Sequence, residues 1–264
     1  MKKLFDALRL LILVALISPL ALAWLPPSWL SAILPGEFLE DLVASFRQLS
    51  VTLGAALGLA LVLTIILGYV SVLSHAVGRG GKSVLDAVES IPAILIALFC
   101  YAPIAIFLAQ NDAGTSSAAS LLVFILAATL TALPEAVRGV AIPLGELYHR
   151  KYSLSFRSYG FTKAKILAIL MNSRVMRGAL KRSAAGILLK TLVLDTSFGF
   201  IIQVGFGSYG TPAHASPGAL IAANRVTLMA GQGDPVRFWL PAIALIAIST
   251  AFLLVLGEEK ETNA

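Results

Sequence analysis

Charge is scarce in this chain. Of its 264 residues, 13% are Asp, Glu, Lys or Arg and 58% are apolar, with a mean hydropathy of +0.88. A soluble domain carries about 25% charged and about 45–50% apolar residues. A water-soluble globule of this composition could not cover its surface. That argues against a cytosolic or periplasmic enzyme, and equally against a disordered chain. Cys100 is the only cysteine, so an internal disulfide and a disulfide scaffold are both excluded. His75, His149 and His214 are far apart and lack ligand spacing. No Gly-x-Ser-x-Gly nucleophile elbow occurs. What the chain does have is long apolar runs. Its length suits five to seven membrane spans with short connections.

A spanning helix needs about 20 mostly apolar residues. Six stretches qualify: 4–25, 51–77, 91–109, 118–133, 186–204 and 238–257. The first ends in Ala21-Leu22-Ala23, which resembles a signal-peptide cleavage site, but its apolar stretch is longer than a usual signal core. It is read as a retained span. Residues 26–48 hold Pro26, Pro27, Pro35 and Gly36. They then place Phe38, Leu39, Leu42, Val43 and Phe46 at helical spacing, which predicts an amphipathic helix along the outer surface. Residues 205–237 contain Gly205, Gly207, Gly210 and Gly218 with Pro212 and Pro217, and are expected to form a turning outer cap.

The net charge is +6, and its distribution matters more than its sum. Eleven of the twenty Lys and Arg fall between Arg138 and Lys190. No nucleic-acid module surrounds this patch, so it reads as a cytoplasmic segment under the positive-inside rule rather than a nucleic-acid site. Lys2, Lys3 and Arg9 place the N-terminus on the same side. Six spans then put both termini and the segment 134–185 in the cytoplasm, with 26–48, 110–117 and 205–237 outside. In a Cys100→Ser background, cysteines placed at Gly80 and Gly160 are expected to react from the cytoplasm, and those at Gly114 and Gly210 from outside. Labelling of position 160 on intact cells would overturn this topology.

The string Ala76-Val77-Gly78-Arg79-Gly80-Gly81-Lys82-Ser83 fits a relaxed phosphate-loop pattern. A true phosphate loop lies between a strand and a helix. Here the string follows an apolar span, so it is expected to be a glycine-rich cytoplasmic turn and the chain is not expected to hydrolyse nucleotide. Asp195 falls inside the fifth stretch, where a carboxylate costs about 2.5–3.5 kcal/mol on insertion scales. It either faces a polar pathway or partner subunit, or is paired locally with Thr191 or Lys190.

Several landmarks now occur in order. They are Ser50 to Tyr69 (SVTLGAALGLALVLTIILGY), Asp86-Ala87-Val88-Glu89-Ser90-Ile91-Pro92, Ala136-Val137-Arg138-Gly139-Val140, Ser216-Pro217-Gly218 with Asn224-Arg225, Pro241, and Gly257-Glu258. Over residues 50–258 the chain resembles the permease subunits of ABC importers, in their peptide and nickel transporter branch. The resemblance implies an all-α membrane protein of the type I importer fold, a single domain over 1–264, and a bacterial inner-membrane location. It implies a second permease, two ATPase subunits that hold ATP and magnesium, and an extracytoplasmic binding protein. No cofactor would belong to this chain, and the cargo would be a peptide, a nickel chelate or a similar small solute.

The family's coupling loop carries Glu-Ala-Ala, three residues, then Gly. Gly160 matches that glycine, and Leu154, Ser155 and Phe156 stand where Glu-Ala-Ala would be. The family's Leu-Pro-Asn is reduced to Leu170-Met171-Asn172. Independently, Tyr152, Phe156, Tyr159 and Lys163 recur at helical spacing, and a helix is expected to continue after a break at Gly160 to Ile166. Such an amphipathic helix can dock in a partner's groove or lie on the inner leaflet. The expected coupling residues are Tyr152, Phe156, Arg157, Tyr159, Gly160, Lys163 and Ile166, with Asp195 a pathway candidate. A non-transport assembly or anchoring protein with a permease-like fold is the alternative, kept open by the missing glutamate.

Overall fold

The computed structural model describes residues 2–25, 37–110, 117–206, 216–225 and 234–262. Among these residues every regular element is an α-helix. In chain order they are α1 (Lys2–Leu22), α2 (Glu37–Leu73), α3 (His75–Ser90), α4 (Ala93–Gln110) and α5 (Ser117–His149). Then follow α6 (Lys151–Ser158), α7 (Lys163–Met171), α8 (Arg174–Phe206), α9 (Pro217–Ala223) and α10 (Val236–Thr262).

Four helices, 38–73, 121–149, 174–202 and 236–255, are long and apolar enough to cross a membrane. A fifth span arises if α3 and α4, bent by 89° at their junction, count as one. The described apolar part of α1, Leu11–Leu22, is shorter than a span. Val62, Ile66, Phe99, Ile243 and Ile246 are exposed, a surface suited to lipid rather than water. The chain is therefore built as a multi-pass membrane protein.

The core forms where α2, α5 and α8 meet. Each presents one residue in every four to the others. These are Thr52, Ala56, Ala60, Thr64 and Gly68 on α2, then Ala128, Ala132, Ala136 and Val140 on α5. On α8 they are Ser183, Ile187, Thr191, Asp195 and Gly199, and all fourteen are buried. Spacing of four keeps residues on one helical face. In lipid, where apolar burial gives no net drive between helices, small residues at such a seam let backbones approach and gain dispersion contact. Ala60, Ala132, Ala136 and Ile187 form one cluster that joins all three helices. A Cβ on Gly68 would stand 2.9 Å from Val140 Cγ1, so glycine is what allows that approach. Tyr101, Phe124 and Phe198 close one end of the seam, with ring centroids 5.1 Å apart for both pairs.

Several boundaries differ from those expected. The stretch from Phe38 to Phe46 is no separate surface helix but the first turns of α2, where Phe46 and Leu49 pack against Leu192, Leu245 and Ile248. Its apolar face meets α8 and α10 rather than the bilayer surface; residues 26–36 lie outside the described residues. Of Ala21-Leu22-Ala23, Ala23 is buried in the bundle and its carbonyl accepts from Arg47 Nε at 3.3 Å, while Ala21 and Leu22 are exposed. The glycine string 78–81 is not a turn but part of α3. Gly78 N donates to Ser74 O at 2.9 Å, so its N–H is used within the chain and is not free to cradle a phosphate. The segment 134–185 is not a loop either. It comprises the last turns of α5, the short helices α6 and α7, and the first turns of α8.

The expected outer cap is described at 205–206, which end α8, and at 216–225 and 234–237. There α9 is not a surface cap. Pro217, Gly218, Ala219 and Ala222 are buried, and the helix lies against α8. Ser216 caps it by accepting from Ala219 N at 3.2 Å, with Pro217 in the first turn.

Candidate functional site

The basic end of the bundle is where α5 ends and α8 begins, and α6 and α7 form a tip across it. Their apolar sides face inward. Ile166, Leu167 and Leu170 are buried against Val140, Leu144, Leu147 and Met176, with Phe156, Phe161 and Tyr148 packed on the edge. Hydrogen bonds fasten the tip to the ends of the long helices. Lys163 Nζ donates to Leu73 O at 2.9 Å, on an otherwise unsatisfied carbonyl at the end of α2. Tyr69 Oη donates to Ala164 O at 2.9 Å and Ser153 Oγ to Leu147 O at 2.8 Å. Arg157 donates to Tyr148 O at 3.0 Å, and its guanidinium lies 4.0 Å from the Tyr148 ring centroid.

Gly160 makes the turn between the two helices. Its φ is +78°, the only positive φ among the described glycines. Gly160 N donates to Arg157 O at 2.9 Å, and Phe161 N donates to Phe156 O at 3.1 Å. This double closure is the Schellman end, and the apolar contact that accompanies it is present as Phe156 on Phe161, centroids 5.8 Å apart. Thr162 then caps α7, its Oγ1 accepting from Lys165 N at 3.4 Å.

This geometry redistributes the expected coupling residues. The expected break at Gly160 is present, but the left-handed residue re-aims the chain, so Lys163 does not continue the face that carries Phe156. Tyr159 precedes the break and stays in register with α6, its N–H donating to Ser155 O at 3.2 Å. Ile166 is fully buried and Phe156 half-buried, so neither is free to dock. Lys163 anchors the tip from within. Tyr152 lies on α6, and its side chain is outside the described residues. The exposed apolar groups of the tip are Tyr159, 80% exposed at the turn, Leu154, 53% exposed, and Ile169 on α7, 43% exposed. Leu154 was singled out only as the position of a missing acid. Its exposure follows from α6 resting on its other side.

A second group of residues emerges between α3, α5 and α8. Arg138 pairs with Glu89 and, at 3.3 Å, with Asp86; Lys190 pairs with Glu135 at 2.7 Å. Glu135 and Arg138 lie on α5 and Lys190 on α8, within helices long and apolar enough to cross a membrane. The side chains are 39% exposed at Arg138 and Lys190 and 64% at Glu135. Ionised groups on such helices avoid lipid and face one another, a protein partner or water. An expected end of the fourth span at Leu133 had left Glu135 and Arg138 in a loop. Prolonging the helical period four residues past Pro134 would have found them.

Asp195 is fully buried in the seam face of α8, one turn from Thr191. Among the described residues no group of three His, Cys, Asp or Glu is placed to hold a metal ion. No family model matches the sequence, and no curated protein matches it.

Proposed function

We propose that this chain is a permease subunit of an ATP-driven ABC importer, contributing half of a translocation pathway for a peptide, nickel chelate or similar small solute. It would work with a second permease, two ATPase subunits and an extracytoplasmic binding protein, in a bacterial inner membrane. With α1 crossing as well, six spans put both termini in the cytoplasm. The observation that carries this reading is the tip. A rigid helix–turn–helix, fastened by side-chain hydrogen bonds to the ends of α2 and α5, presents Tyr159 and Leu154 at the basic end of the bundle. That is the form a force-transmitting contact requires: exposed apolar anchors on a mount that cannot yield independently. The docking anchors are then Tyr159 and Leu154, with Phe156, Arg157, Lys163 and Ile166 shaping the mount. The charged cleft of Glu135, Arg138 and Lys190 supports a polar route beside it.

The test is capture of an ATPase with the tagged chain from native membranes. Leu154→Asp combined with Tyr159→Ala is expected to lower ATPase recovery about tenfold, as loss of an aromatic anchor at an interface does. The inserted chain should be unchanged in amount. Failure of any ATPase to accompany the intact chain would sink the reading and favour an anchoring protein.

A further inference from the structure

The ion pairs between α3, α5 and α8 stand where two cavities meet. The first, about 660 Å³, lies between α5 and α8 and is bordered by Glu135, Arg138, Ser183, Gly186 and Lys190. The second, about 440 Å³, lies under the α3–α4 bend and is bordered by Glu89, Pro92, Thr131, Lys190 and Ser197. Lys190 belongs to both walls. Arg138, on the wall of the first, holds Glu89, on the wall of the second. The pairs therefore occupy the junction rather than either chamber.

We propose that Arg138 with Asp86 and Glu89 is the latch of a charge gate, holding the α3–α4 bend across the junction and separating the two cavities. Three features fit a part that moves. Helix α3 is exposed along most of its last three turns, from Gly80 to Ser90. It meets α4 at 89° through Ser90-Ile91-Pro92, where proline interrupts the helical hydrogen-bonding. A guanidinium of α5, Arg138, ties it by serving two of its carboxylates. Ion pairs this exposed are weak and exchange readily with water, so the bend can release without breaking the core. The Glu135–Lys190 pair joins two helices already packed along the seam and forms the fixed jamb. Opening needs no new charge in lipid, because each released group remains in the cleft.

This gate rests on the cleft being wet, which the test examines separately. In a Cys100→Ser background, Gly186→Cys reports the first cavity, and a Cβ there meets nothing within 4 Å. Ser197→Cys reports the second. A membrane-impermeant thiol reagent is applied to vesicles of both orientations. Gly186→Cys is expected to react quickly in every background. Ser197→Cys is expected to react slowly in the parent. From the side that reaches position 186, it should react at least about tenfold faster in Arg138→Gln and in Asp86→Asn/Glu89→Gln, since an unlatched minor state starts at about 10% or less. The double variant alters only half-exposed groups on α3, so it tests the latch even if Arg138→Gln misfolds. Exchanging the pair, Arg138→Glu with Glu89→Arg, should restore the slow rate. Unchanged Ser197→Cys labelling in the double variant, with Gly186→Cys reactive, overturns the gate and leaves the wet cleft standing. Silence at Gly186→Cys in all backgrounds overturns both.

Discussion

Gly160→Val is expected to uncouple the chain from the ATPase proposed as its partner, while Gly160→Asn largely preserves coupling. At φ +78° a β-branched residue is strained, and sparsely populated backbone states cost roughly 1–3 kcal/mol. Asparagine tolerates the left-handed region far better. A Cβ at 160 would meet nothing within 4 Å, so crowding within the chain is not the cause. The cost falls on the turn, whose two closing hydrogen bonds orient Tyr159 and the end of α6. Substrate-stimulated ATP hydrolysis in the reconstituted complex should drop about tenfold or more in Gly160→Val, as 1.4 kcal/mol corresponds to tenfold. Gly160→Trp should fall as far, and Gly160→Asn should stay within about threefold of the parent. If asparagine proves as damaging as valine, bulk at the docking surface and not backbone conformation explains the glycine. If all three couple fully, the tip does not transmit. Leu154→Glu, which places at this position the acid carried by the importer family proposed above, completes the series. A gain in coupling would mark the present motif as a weakened one, and a loss would mark Leu154 as an apolar anchor.

Gly218→Leu is expected to have the largest effect on stability. A Cβ at 218 would overlap the Thr196 carbonyl of α8, and that contact is backbone, which no rotamer change can relieve. Overpacking of side chains costs about 1–3 kcal/mol, and displacing a helix backbone belongs at or above that range. The purified chain should lose about 6 °C or more in thermal midpoint, taking about 2–4 °C per kcal/mol for a domain of this size. Gly58→Ala is the matched control. Its Cβ would meet nothing within 4 Å on the exposed side of α2, so the helix propensity gain of alanine, up to about 1 kcal/mol, is unopposed. Equal midpoints for the two variants would show that α9 does not hold its place against α8.

Composition and hydropathy made the membrane-spanning character and most helix positions readable, because lipid demands long apolar helices and short loops. They did not reveal where helices end. Hydropathy marks the stretch that faces apolar surroundings, whereas a helix continues wherever its polar residues find protein or water. So α5 runs on through Pro134 to His149, and α2 begins at Glu37, fourteen residues before its apolar stretch. The charged cleft depends on the first of these continuations, which carries Glu135 and Arg138 on the same helix as the apolar stretch. At the tip, the break at Gly160 was legible from glycine alone, but the direction of the faces was not. Counting residues assumes one continuous helix, and a left-handed residue resets the count. Asp195 was legible as an anomaly inside an apolar run. That it belongs to the α2–α5–α8 seam required knowing which face of α8 turns inward.

The tip's fastening also has a mechanical meaning. Helices α5 and α8 have 33 residues each, and α2 has 37. At 1.5 Å per residue these are rods of about 50 Å and about 55 Å. Because Lys163, Tyr69, Ser153 and Arg157 tie α6 and α7 to the adjoining helix ends, a push on Tyr159 is not absorbed by slack chain. It turns the rods. The small-residue seam, with little side chain to interlock, lies near mid-rod and serves as the pivot. About it, a tilt of about 10° carries each end of a rod of about 50 Å about 4 Å, in opposite directions. Under the proposed orientation, a push of a few ångströms at the tip would thus be matched by an opening of similar size at the far end.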